Sequence, residues 1–154
     1  MNRAKHIVFL LVLLLAMGVT AFAQGDAAAP KIDTGDTAWM LTSAALVLFM
    51  TIPGLFLFYG GLIRSKNVLG MLMQNFIMVG IITIQWVVIG YSLAFANGTS
   101  FLGGFQWAGL SGVGAMPNAD YAATIPHQTF MFYQLMFAII TPALMTGAVA
   151  DTGR

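Results

Sequence analysis

Two stretches of this chain, residues 37–63 and 68–96, contain no charged side chain, and nothing else constrains the fold as strongly. At 1.5 Å per residue each is long enough, as a helix, to cross the ~30 Å hydrocarbon core of a bilayer. A third apolar stretch, residues 127–150, is charge-free apart from any charge on His127 at its start. Over the whole chain 59% of residues are hydrophobic and 7% charged. That is too little charge to keep a soluble surface of this size in solution. With no water at bilayer depth, the backbone must satisfy its own hydrogen bonds. The expected fold class is therefore an all-α membrane protein with three transmembrane helices.

The segments around these stretches set a topology. Arg3, Lys5 and His6 precede an apolar run from Ile7 to Val19, and Ala21-Phe22-Ala23 has the small-x-small pattern of a cleavage site. Residues 1–23 thus read as a signal peptide cut before Gln24, the competing reading being a first membrane helix that is never cut. Residues 24–36 read as a short external (periplasmic) linker, in which Thr34 or Asp36 is a candidate cap for the first span, residues 37–63. Pro53-Gly54 lies inside that span, where the freed carbonyl needs other satisfaction, which suggests packing within a bundle. Arg64 and Lys66 sit in the tight connection 64–67, and the positive-inside rule puts it in the cytoplasm, with the mature N-terminus outside. The second span, residues 68–96, carries Gln74, Asn75 and Gln85 and is expected to face protein on at least one side. Its Trp86 and Tyr91 lie toward the outer half, where aromatic rings favour the interface. Residues 97–126 form a Gly-rich, aromatic outside loop; its Asn97-Gly98-Thr99 sequon is best read as a chance match. The third span, residues 127–150, is interrupted by Pro142 and ends inside. Residues 151–154 form a cytoplasmic end.

Composition also excludes chemistry. Net charge is +1, so no basic field invites nucleic acid. There is no cysteine and no glutamate, and His6 and His127 are the only histidines. A thiol nucleophile, a disulfide and a thiolate metal site are ruled out within these residues, and neither a metal site nor a cofactor is expected. The spans offer hydroxyls but no base or metal to activate them, so an enzyme is not expected.

Three ordered segments carry a family resemblance. Asp36-Thr37-Ala38-Trp39-Met40 through Ala45-Leu46-Val47-Leu48-Phe49-Met50-Thr51-Ile52-Pro53-Gly54 is followed by Leu57-Phe58-Tyr59-Gly60-Gly61-Leu62-Ile63-Arg64-Ser65-Lys66-Asn67-Val68-Leu69. The second segment is Trp86-Val87-Val88-Ile89-Gly90-Tyr91-Ser92-Leu93-Ala94-Phe95. The third is Tyr133-Gln134-Leu135-Met136-Phe137-Ala138-Ile139-Ile140-Thr141-Pro142-Ala143-Leu144. Together they resemble the first three helices of the ammonium transporter (Amt/Mep/Rh) family. The resemblance implies an eleven-helix inverted-repeat transporter fold, a homotrimer with a pore in each subunit, residence in the bacterial inner membrane, and uptake of ammonium or ammonia. A PII-type signalling protein at the cytoplasmic face is a further implied partner.

The resemblance also implies site residues. Tyr133 falls at an aromatic of the outer recruitment site, where a ring face attracts a cation without holding it as a carboxylate would. Phe137, one turn deeper on the same face, falls at the upper phenylalanine of the gate. Gln134 belongs to the same substrate-binding motif, and Phe58 and Tyr59 match aromatics near the inner pore mouth. Without the resemblance, each of these aromatics would be read as a packing or lipid contact. His127 lies at the outer start of its span and reads as an interfacial residue.

The chain departs from the family pattern at its end. Family members continue after Gly147-Ala148-Val149-Ala150 with Glu-Arg and a basic loop; here Asp151 takes the acidic position and Arg154 is the last residue. The expectation is a truncated amino-terminal part of a transporter, inactive alone. The alternative is a small three-span interaction protein that assembles with or modulates a full-length transporter.

Overall fold

The computed structural model of the chain describes residues 30–149. The expected signal peptide, residues 1–23, and the end, residues 151–154, lie outside the described residues. Three long helices dominate: α1 (Thr34–Leu62) and α2 (Ser65–Phe95), and α3 (His127–Val149). Each is long and apolar enough to cross a membrane.

Asp33 starts α1. It holds an extended conformation, and its side chain accepts from the Asp36 N–H at 3.0 Å. Its backbone carbonyl accepts from the Thr37 hydroxyl at 2.7 Å. Neither Thr34 nor Asp36 is the cap; both lie inside the first turn, where the Asp36 carboxylate faces the positive end of the helix dipole. At Pro53 the helix does not break. Its backbone widens into a π-helical segment, Met50–Leu55, that absorbs the missing N–H. Pro53 and Gly54 are themselves exposed, whereas Thr51 in the same segment is buried. A second π segment, Trp86–Gly90, interrupts α2. Gly90 fits closely there: a Cβ would lie 3.2 Å from the Trp86 ring, a tight contact.

The helix α3 is the central element. Within the apolar windows of the spans, 39% of α3 residues are buried against 11% in each of α1 and α2. Ala44 from α1 and Leu135, Met136 and Ile139 from α3 form the core cluster. Val47 and Leu48 of α1, Val79, Ile82 and Trp86 of α2, and Tyr133 pack around it.

The segment between α2 and α3 closes the end where α2 stops and α3 begins. Gly103 donates its N–H to the Leu93 carbonyl at 2.8 Å, and the Tyr121 hydroxyl donates to the Phe95 carbonyl, so carbonyls left open at the end of α2 find partners. The N-terminus of α3 is treated the same way: the N–H groups of His127 and Gln128 donate to the Met116 and Gly114 carbonyls. Lys31 and Asp33 donate to the carbonyls of Ala123 and Thr124, which ties the start of α1 to the same segment.

Candidate functional site

The aromatic pair on α3 follows from helix geometry. Residues four apart share a face, so Tyr133 and Phe137 stand one above the other. Their ring centroids are 5.1 Å apart at 75°, an edge-to-face contact. Tyr133 is half-buried and rests on the core cluster, which fixes its ring. Phe137 is 40% exposed, so one face of the pair is open. Gln134, also half-buried, follows Tyr133 on the helix. The pair offers ring faces and an apolar surface. It has no carboxylate, nucleophile or metal ligand of its own, and among the described residues no group of three or more His, Cys, Asp or Glu is gathered anywhere.

Phe58 and Tyr59 lie on α1 beyond the π segment. Their rings meet edge-on at 5.3 Å. Phe58 is exposed, whereas Tyr59 is buried and donates its hydroxyl to the Leu144 carbonyl at 2.9 Å. Leu144 lies about 10 Å further along α3 than Phe137, from the rise per residue. The two aromatic pairs therefore occupy different depths.

The structure adds packing partners that the sequence did not show. His127 is 5% exposed, and its Nε2 lies 2.6 Å from the Tyr91 hydroxyl. Tyr91 is fully buried, stacked on Trp107 at 5.6 Å and 23°, and His127 meets the same indole edge-on at 4.9 Å. Burial of both polar tips is tolerable because each satisfies the other. Ser92 completes this lock, donating to the Gly104 carbonyl at 2.7 Å and accepting from the Trp107 N–H at 3.0 Å. Of the three amides of α2, Asn75 is fully buried while Gln74 and Gln85 are exposed. The lock joins residues far apart in sequence; the loop aromatics were visible, but nothing in their spacing named Tyr91 as the partner of His127.

Comparison with known proteins follows the same outline. A profile described as Ammonium Transporter Family matches residues 38–154. The chain is 52% identical over 123 residues to a protein named ammonium transporter from Bacillus subtilis (strain 168), covering 80% of this chain and 30% of that protein. It is 48% identical over 134 residues to one from Mycobacterium tuberculosis (strain ATCC 25618 / H37Rv), covering 77% and 28%. Among solved structures, a mutant of Candida albicans Mep2 aligns with a TM-score of 0.65 at 38% identity, covering 76% of this chain and 25% of that one. Saccharomyces cerevisiae Mep2 aligns with a TM-score of 0.65 at 29% identity, covering 82% and 28%. The chain thus spans about 30% of the length of the curated relatives it matches.

Proposed function

The chain belongs to the ammonium transporter family, and from that premise we propose that it forms the first three membrane spans, and one wall of the conduction path, of a transporter that takes up ammonium or ammonia. The observation that carries this reading is the Tyr133–Phe137 pair, held edge-to-face on the central helix with Phe137 open. In this reading the Tyr133 ring draws the cation toward the apolar path by its negative face. Gln134 supplies an amide beside it, and the Phe137 ring closes the path below until it swings aside. Phe58 flanks the inner mouth. The Tyr59 hydroxyl is already committed to Leu144, so only its ring remains to line that mouth.

The protein is a multi-pass membrane protein. We further propose the bacterial inner membrane, with the mature N-terminus outside. The exposed Arg64 and Lys66 in the α1–α2 connection support that orientation, since basic residues are retained on the cytoplasmic side. The exposed apolar faces of α1 and α2 are suited to lipid and to further helices. Assembly as a homotrimer and a PII-type partner at the cytoplasmic face belong to the same proposal. The test is uptake of radiolabelled methylammonium by a host lacking its own uptake, carrying the whole gene. Saturable uptake that ammonium competes away is expected; uptake no faster than the empty host overturns the reading.

A further inference from the structure

Three threonine hydroxyls within the spans find acceptors on their own helix. Thr51, Thr83 and Thr141 each donate to the carbonyl one turn back. Asn75 has no such recourse. It is fully buried in α2, and its amide meets the Thr146 hydroxyl of α3 at 2.8 Å. The same hydroxyl lies 2.8 Å from the Ala143 carbonyl of its own helix. A hydroxyl has one proton, so it cannot donate to both the Asn75 amide oxygen and Ala143. Turning the amide about its last torsion removes the conflict: the Asn75 amide N–H then donates to Thr146, whose proton goes to Ala143. In either orientation one polar atom of the amide stays buried and unpaired; as placed, it is the nitrogen.

A half-satisfied buried amide contributes little net stability, because the unpaired atom costs about what the bond gains. Its effect is on alternatives. Both helices are apolar around most of their surface, so their side chains discriminate weakly between neighbouring registers. A slip of one turn, about 5.4 Å, would leave Asn75 with no partner at all in an apolar interface.

We propose that Asn75, through Thr146, is a second register pin between α2 and α3, beside the Tyr91–His127 pair, and that it positions the Phe137 ring by fixing the height and rotation of α3. Tyr91–His127 ties the same two helices at their outer ends, and Tyr133 and Phe137 lie between the two ties. The consequence at Phe137 rests on the transport reading above; the pin itself does not.

The experiment uses the chain expressed from its whole gene in native membranes. The sequence here contains no cysteine, so introduced pairs within it report cleanly. Val79→Cys is combined with Ile139→Cys or with Leu135→Cys, one turn apart on α3 and both in the core cluster. The ratio of the two cross-links reads the register. Asn75→Val and Thr146→Val are each expected to shift that ratio by about fivefold, whereas Thr146→Ser, which keeps the hydroxyl, retains it. The double variant Asn75→Val/Thr146→Val removes both polar partners and keeps the shifted ratio. An unchanged ratio in the single variants, or a wild-type ratio in the double variant, overturns the pin. Methylammonium uptake in the same variants is expected to lose maximal rate with little change in half-saturation. The cross-links report whether or not the chain conducts, so a failure of the transport reading is seen separately.

Discussion

Replacing Tyr91 by phenylalanine removes one oxygen atom from the centre of the aromatic lock between α2, α3 and the segment that joins them. The hydroxyl is 2.6 Å from His127 Nε2, and the two residues are 0% and 5% exposed. The substitution leaves the stack on Trp107 and the contacts with Phe95 in place, so no ring-sized cavity forms. What is lost is a buried hydrogen bond, with an imidazole nitrogen left unpaired, at a cost of about 1–3 kcal/mol. Tyr91→Ala removes the ring as well and should cost about 3–5 kcal/mol. Both losses fall on the joint between α2, α3 and the 97–126 segment, so amide hydrogen exchange in that segment is the direct assay. Tyr91→Phe should accelerate exchange across 97–126 while leaving the amides of the central core cluster near wild type. If Tyr91→Phe exchanges like wild type while Tyr91→Ala does not, ring packing alone holds the segment and the hydrogen-bond argument is refuted.

Two further outcomes follow from local geometry. Gly103→Ala would place a methyl group 2.5 Å from the Ser92 carbonyl oxygen and 2.7 Å from that of Ala96, both backbone atoms that cannot swing away. Undocking of the segment from the end of α2, at a cost of about 1–3 kcal/mol, should appear as faster limited proteolysis within residues 97–126. Tyr133→Ala, in the chain expressed from its whole gene, should raise the methylammonium concentration needed for half-maximal uptake; an unaltered concentration dependence would remove Tyr133 from substrate capture.

The helices were legible in the sequence because absence of charge is a composition signal that needs no partner. The faces were not. A helix that is apolar all round shows no contrast between one side and the other, so periodicity cannot say which side packs against protein. That is why Gln74, Asn75 and Gln85 looked alike in the sequence although only Asn75 is buried. The cap of α1 was ambiguous for a different reason: Asp33, Thr34 and Asp36 are all competent caps, and the choice depends on where the chain leaves its extended tie to Thr124. The partner of His127 could not be read because Tyr91 sits on another helix, and only the docking of the intervening segment joins them. The adjacency of Tyr133 and Phe137 was readable from their spacing alone, but the role given to them came from family resemblance and not from periodicity.

The central claim is that Phe137 stands in the path of the substrate. Its most direct test is methylammonium flux through the whole gene product carrying Phe137→Ala, at wild-type abundance in the membrane. The account predicts a clearly altered flux, because the half-exposed ring leaves the path while Tyr133 keeps its seat on the core cluster. A flux indistinguishable from wild type would contradict it and return Phe137 to the status of a packing residue.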